Sequence, residues 1–483
     1  MNPPLRRVAM ALLLMFGALF ANATWLQVVN AGDLRTKQGN TRVLLNQYEH
    51  QRGPIVAGNV IVARSVATKD RLKYLRVYPQ GEEYAPITGY YSVTLGFSGI
   101  ERQENSILSG SDDRLFVRRL SDLVTGRTPR GGTVKLTVNP KAQDAAWDGL
   151  QGKVGAVVAL DPRTGAVLAM ASNPSYDPNT LSSHNARAVT TASTRLNTDR
   201  RKPRLNRAIE ETYPPGSTFK VVTAAAALES GKYTPDTVIP APTQLSLPQT
   251  NRKLKNFGGE VCSGSGKMPL KDALRISCNT AFAALGLRLG ADALQATAER
   301  FGFGRAPLEL DRAAASVFPS NLNPPQTAQS AIGQFDVRVT PMQMALVAAG
   351  VANNGVVMKP YLVKELQGPD LAPLSLTEPK VLSRAMDAPA ASALTSMMVN
   401  VVNNGTGTAA RISGVTVAGK TGTAQHAAGA APHAWFIAFA PAQNPVVAVA
   451  VLIEDGGNLN REATGGRVAA PIARAVIEAV LGR

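Results

Sequence analysis

Tyr213-Pro214-Pro215-Gly216-Ser217-Thr218-Phe219-Lys220 places a hydroxyl three residues ahead of an ammonium, directly after a Pro-Pro-Gly breaker. Val221 to Leu228 (VVTAAAAL) follow, Ala-rich and apolar on every side. The prolines and glycine stop whatever precedes them, and Ser217 stands where an N-cap residue would be. A helix that is apolar all round belongs inside a domain. Residues at i and i+3 share a helix face, so Ser217 and Lys220 fall within reach of each other. Burial disfavours the charged ammonium, and the positive end of the helix dipole acts the same way. A lysine so placed loses its proton near neutral pH and serves as general base to the serine. Taken alone, S-x-x-K is better read as a capped helix with a snorkelling lysine.

The 483 residues suffice for two or three domains with sizeable cores. With 45% hydrophobic and 18% charged residues, the composition is that of a folded protein. Net charge is +17, from 51 basic and 34 acidic residues. A basic balance of this size fits a membrane surface, an anionic polymer or plain solubility. No basic run is interleaved with aromatics, which argues against nucleic acid. His50, His184, His426 and His433 show no metal-ligand spacing, so neither a metal nor any other cofactor is expected.

Arg6 and Arg7 precede an apolar run, Val8 to Ala21, which continues in weaker form to Val29. That length crosses a bilayer, and the leading arginines favour a cytoplasmic N-terminus, although Arg35 and Lys37 beyond it blunt the charge asymmetry. Ala21-Asn22-Ala23 also has the look of a cleavage site, but a retained anchor is the preferred reading. Residues 1–30 are thus a cytoplasmic tip and signal anchor, with the remainder exported. From 31 to 150 the chain is mixed polar with short strand-like runs, including Val134 to Val138, and a helix from Lys141 to Leu150. Nothing in it looks catalytic, and a pedestal or dimerisation role is expected. From 151 to 483 the pattern is α/β. Gly155 to Leu160 and Ala166 to Met170 form a hairpin, and a polar loop of roughly 40 residues leads to the Ser217 helix. Ala-rich helices come next, then strands at Thr416 to Ala418, Ala434 to Ala440 and Val446 to Ile453, and a last helix from about Ala469.

Two further motifs occur in fixed order. Ser277-Cys278-Asn279 lies 60 residues beyond Ser217, and Lys420-Thr421-Gly422-Thr423 lies 143 beyond Ser277. S-x-x-K, S-x-N and K-T-G in that order mark penicillin-binding proteins and serine β-lactamases, though Cys278 replaces the Asp often found in the second motif. Other segments extend the likeness. Arg52-Gly53-Pro54-Ile55 resembles the R-G-x-I opening of class B stalk domains, but Val56-Ala57-Gly58-Asn59 replaces the Asp-Arg-Asn that often comes after it. Gly99-Ile100-Glu101 resembles their G-[LI]-E segment. Gly155 to Tyr176, Asn206-Arg207-Ala208, Ala331-Ile332-Gly333-Gln334 and Gly419 to Gln425 resemble the transpeptidase domain. Nearly end to end, the chain resembles a class B, monofunctional penicillin-binding protein of the compact A type seen in actinobacteria.

That resemblance implies a fold: an antiparallel sheet flanked by helices, β-lactamase-like, preceded by an α+β non-catalytic stalk and one N-terminal transmembrane helix. It also implies roles. Ser217 would attack a D-alanyl-D-alanine carbonyl and Lys220 take its proton. Ser277 would relay a proton to the leaving D-alanine, and Asn279 would orient Lys220 and hold the peptide amide. The backbone N–H groups of Ser217 and Thr423 would form an oxyanion hole, worth roughly 3 kcal/mol per donor. Lys420 would supply field to the site, Thr421, Gly422 and Thr423 would bind the substrate, and the Thr421 and Thr423 hydroxyls would hold its terminal carboxylate. Implied partners are peptidoglycan stem peptides, β-lactams, the cytoplasmic membrane and proteins of the wall or division machinery.

Cys262 and Cys278 are the only cysteines, with fifteen residues between them. A disulfide there would contribute about 3 kcal/mol, and two separate buried thiols are the other reading. Gly414 to Thr421 also fits G-x-x-x-x-G-K-[ST], with Val446 to Asp455 mimicking an acid-ended strand. A phosphate loop must follow a strand and open a helix; here the loop itself is strand-like, so an NTPase is rejected. Hydrolytic relatives, a D,D-carboxypeptidase or β-lactamase, would need a water activated against the acyl-enzyme. Glu309 shows no glutamate loop around it, and a large stalk is superfluous for a simple hydrolase. An acylated scaffold or sensor is the remaining alternative.

Overall fold

The computed structural model describes residues 3–30, 48–116, 124–126, 128, 130–425 and 429–483. The expected start of the stalk at 31, the charges Arg35 and Lys37, and His426 lie outside the described residues. Helix α1, Pro3–Thr24, continues into a wider turn over Trp25–Val29. The span Pro4–Gln27 is long and apolar enough to cross a membrane, and none of it is buried against the rest of the protein.

Two sheets organise the chain beyond this helix. The larger domain is built on five antiparallel strands in the order β11-β12-β13-β5-β6. These are β5 (Gly155–Leu160), β6 (Val167–Asn173), β11 (Ala418–Ala424), β12 (His433–Ala440) and β13 (Val447–Ile453). Every residue of β5, β12 and β13 is buried, which explains their continuous apolar runs in place of an alternating pattern. Alternate side chains nevertheless go to different cores. Ala156, Val158 and Leu160 belong to the core that includes α3 (Lys220–Glu229) and α5 (Pro341–Ala352), whereas Val157 and Ala159 belong to the core that includes α2 (Pro140–Gly149) and α7 (Ala470–Val480). N- and C-terminal segments thus close one sheet between two helical layers, as expected.

The second sheet has six strands in the order β10-β9-β4-β1-β2-β3. Four come from the N-terminal region: β1 (Ile55–Ala57), β2 (Val60–Ala67), β3 (Tyr74–Val77) and β4 (Thr133–Leu136). The other two, β9 (Val363–Gln367) and β10 (Pro373–Leu376), come from far down the chain, with β9 pairing antiparallel to β4. Helix α2 packs on α7 and β6, so the division placed at residue 150 falls after a helix that belongs with the larger sheet. Its buried apolar positions, Ala142 and Ala146, are small and give no sign of which sheet they cover.

A buried ion cluster holds the smaller unit together. Glu101, with no exposed surface, accepts Arg52 Nε and Arg76 Nε, each at 2.6 Å, and the Tyr78 hydroxyl at 3.0 Å. Arg52 also donates to Asn105 Oδ1 and the Glu101 carbonyl, and Arg76 to the Gly53 carbonyl, each at 2.7 Å. Burial alone would raise the Glu101 carboxyl, but Arg76 and Arg52 outweigh it and hold it below the ordinary carboxylate range. The R-G-x-I and G-[LI]-E segments meet here.

The polar stretch between β6 and Ser217 contains a helix, Ala186–Thr198, rather than loop alone. Asn185 caps it by accepting from the Ala188 amide, and only Val189 and Ser193 are buried, too few to show a period in the sequence.

Candidate active site

The Pro-Pro-Gly run is anchored from three sides. Tyr213 exchanges backbone hydrogen bonds with Val339, and the Pro214 carbonyl accepts Trp435 Nε1 at 3.0 Å. The Tyr213 hydroxyl donates to Glu454 Oε1 at 2.7 Å, where Arg207 Nε also donates at 2.8 Å. Glu454, one of the two acids closing the strand-like run of the rejected nucleotide motif, is therefore an anchor for this turn. Arg207 is 3% exposed and needs that partner, since a buried cation without one is costly.

Ser217 is not an N-cap. Gly216–Phe219 forms a 3-10 turn ahead of α3, and Ser217 lies inside it, partly exposed. The three-residue spacing survives, because 3-10 geometry eclipses i and i+3. Two glycines permit the turn. Gly216 has φ +53, and a side chain on it would strike the Thr423 carbonyl. Gly333 has φ +72; its carbonyl accepts from the Gly216 amide at 3.0 Å, and a Cβ there would come within 2.1 Å of the Gly216 carbonyl. We expect Gly333→Ala to add about 1–2 kcal/mol of backbone strain and to push the serine turn aside. Slowed penicillin acylation together with a lower melting temperature would show this; unchanged acylation would exclude it.

Lys220 opens α3, whose residues are all buried from Lys220 to Leu228. Its Nζ lies 2.7 Å from the Ser277 carbonyl, 2.7 Å from Asn279 Oδ1 and 3.3 Å from Ser277 Oγ. Both of the shorter partners are acceptors only, so they occupy two N–H groups. In the neutral amine the remaining position is a lone pair, available to a hydroxyl proton. Burial first, and Lys420 second, push Lys220 well below its ordinary value. Lys420, also fully buried, donates to Ser277 Oγ at 2.9 Å and to the Thr421 carbonyl at 2.8 Å. Burial lowers it to about 7. Among the described residues no carboxylate pairs with either lysine. The Ser277 hydroxyl therefore bridges two amines, and Ser277 itself sits in a left-handed conformation, φ +62, that turns the chain into α4 (Asn279–Leu289).

The K-T-G segment lies within β11, not after a strand ending at Ala418, and β11 is the edge of its sheet. Gly419 and Gly422 hid this strand from propensity, and both are there for space. A Cβ on Gly419 would meet the Phe436 ring at 2.7 Å, and one on Gly422 the Thr218 methyl at 2.9 Å. The Thr423 carbonyl faces Gly216 and the Thr421 carbonyl accepts Lys420, so both point away from β12. In an antiparallel strand the N–H and C=O of one residue share a side. The Thr423 amide thus lines the free edge beside Ser217, as an oxyanion donor would. The Thr421 hydroxyl is 2.6 Å from that of Thr406.

The structure brings Ser217, Lys220, Ser277, Asn279, Lys420 and the Thr421–Thr423 strand into one site. Cys262 and Cys278 are joined in a disulfide, Cα–Cα 6.0 Å, settling between the two sequence readings. Asn256 went unnoticed in the sequence. Its Oδ1 accepts the amides of Asn279 at 2.9 Å and Thr280 at 3.0 Å, and a lone Asn in a polar segment carries no signal of that. Glu309 is exposed and paired with Lys359, away from the site.

The chain belongs to the penicillin-binding protein transpeptidase family: residues 155–478 match the penicillin binding protein transpeptidase domain. Residues 52–134 match the penicillin binding protein A dimerisation domain. Over 490 residues it is 49% identical to the peptidoglycan D,D-transpeptidase PbpA of Mycolicibacterium smegmatis, covering 100% of this chain and 99% of that one. The Mycobacterium tuberculosis protein of the same name is 48% identical over 493 residues, with the same coverage. Among solved structures, the ceftriaxone acyl-enzyme complex of M. tuberculosis penicillin-binding protein A is similar with TM-score 0.87 and 47% identity, covering 90% of this chain and 100% of that one.

Proposed function

We propose that the chain is a peptidoglycan D,D-transpeptidase acting outside the cytoplasmic membrane through a Ser217 acyl-enzyme. The observation that carries this is the buried Lys220 amine, its two N–H groups taken by fixed acceptors, three residues from a partly exposed serine. Lys220 takes the Ser217 proton as Oγ attacks the carbonyl of the penultimate D-alanine. The amides of Ser217 and Thr423 hold the developing oxyanion. The C–N bond breaks, and the departing D-alanine nitrogen receives a proton through Ser277, which stands between Lys220 and Lys420. An amine from a neighbouring stem peptide then attacks the acyl carbonyl and gives a proton to Lys220, and Ser217 leaves with it restored. Thr421 and Thr423 hold the terminal carboxylate. β-Lactams enter by the same attack and stall as the acyl-enzyme. Helix α1 anchors the chain, with Arg6 and Arg7 on the cytoplasmic side. Wall and division proteins are its expected neighbours.

Full-length protein in detergent micelles, incubated with a fluorescent penicillin, should carry slowly decaying label. Ser217→Ala should carry none. Label on that variant, or label lost within seconds from the unaltered protein, would overturn the transpeptidase reading.

A further inference from the structure

We infer that Asn256 is a positioning residue for the acyl-transfer site, fixing the Ser277–Asn279 segment through the main chain at the start of α4; the inference rests on the function proposed above. Helix α4 has the dihedrals of an ordinary N-cap at Cys278, φ −61 and ψ 116, but no side-chain acceptor there. The Cys278 sulfur is spent in the bond to Cys262. Asn256, 23 residues earlier in the chain, supplies the missing acceptor, taking the first two amides of the helix on one oxygen. Its own amide donates to the Glu260 carbonyl at 2.9 Å, and the side chain is 9% exposed, so its orientation is set at both ends.

The consequence reaches the base in two bonds. Asn256 holds the main chain of Asn279, and the Asn279 side chain accepts from Lys220 at 2.7 Å. The Asn279 amide also leans on the Lys255 carbonyl at 3.5 Å, next to Asn256 in the chain. The Lys220 amine faces Lys420 from β11, Ser277 and Asn279 from the turn and α4, and the Phe282 ring 5.7 Å away on α4. An acceptor oxygen favours the protonated amine over the neutral one. Freeing Asn279 therefore makes Lys220 easier to deprotonate while spoiling its aim. A carboxylate at 256 would keep an oxygen on the two amides, give up the bond to the Glu260 carbonyl, and favour the ammonium instead.

The experiment compares full-length protein in micelles with Asn256→Ala and Asn256→Asp. It records the second-order rate of acylation by a fluorescent penicillin against pH, normalised to the labelled end point, beside each melting temperature. Asn256→Ala should lower the plateau about tenfold and move the acid limb down by about half a unit. Asn256→Asp should keep most of the plateau and move the limb up. Lys420 is unchanged in both, so opposite shifts report the geometry around Lys220. A cap that only stabilises the fold would lower the melting temperature and leave both limbs in place, overturning the inference. Asn256→Asp retains the oxygen that takes the two amides, although not the donor to the Glu260 carbonyl, so it reads the effect even if the alanine variant fails to fold. Absence of label on the unaltered protein would instead remove the Ser217 reading and this one with it.

Discussion

Lys220→Ala should slow penicillin acylation at pH 7 about a thousandfold, within the range that a positioned general base contributes. The sign of the pH dependence comes from the direction of its shift. Burial first, and Lys420 second, hold Lys220 well below its ordinary value, so the neutral amine that accepts the serine proton forms at a lower pH than in a free lysine. The rate of the unaltered protein should fall only as pH drops through the depressed value, where Lys220 takes up a proton. In Lys220→Ala that acid limb should vanish along with the rate. Rapid-quench labelling across pH 5–9 measures both. A variant that kept the limb at reduced rate would make some other group the base.

The second large effect lies far from the serine. Glu101→Ala strands two buried arginines, Arg52 and Arg76, that now share one carboxylate. Removing one partner of a buried ion cluster costs about 3–5 kcal/mol. Urea unfolding should show that loss at pH 7, with penicillin labelling of the folded fraction retained. Because the native Glu101 carboxyl is depressed, its contribution is present above the ordinary carboxylate range and lost as pH falls through the native value. The unfolding curves of the two proteins should draw together in strong acid. Equal stability at pH 7 would show that the cluster contributes nothing net.

How much of this was legible in the sequence depended on how local each relation is. Ser217 and Lys220 lie three residues apart, as do the ends of Lys420-Thr421-Gly422-Thr423, and such spacings survive whatever the rest of the chain does. Arg52 and Glu101 were visible as parts of short segments, but Arg76 was not, since Tyr-Leu-Arg-Val reads as any strand with one charge. Glycine obscured β11, because residues placed for close approach to Phe436 and Thr218 are the ones that argue against a strand. Asn256 works on backbone amides across 23 residues, and no periodicity records such a bond. Strand β9, Val363 to Gln367, sets two charges side by side and does not alternate, and nothing in it names β4 as its neighbour.

That last pairing makes the two parts of the protein interlaced rather than hinged. A sheet begun at Ile55 is finished by a hairpin that leaves the catalytic half at Val363 and returns after Leu376. A protease nick between 138 and 150 would leave both fragments clasped, because β9 lies along β4 and not on the severed connection. Mechanical load entering at Ile55 would run as shear along the β4–β9 ladder, where the backbone hydrogen bonds share it, instead of as tension on a tether. Excising residues from 151 onward would strip β9 of its neighbour and expose an unpaired strand edge, which is a template for aggregation.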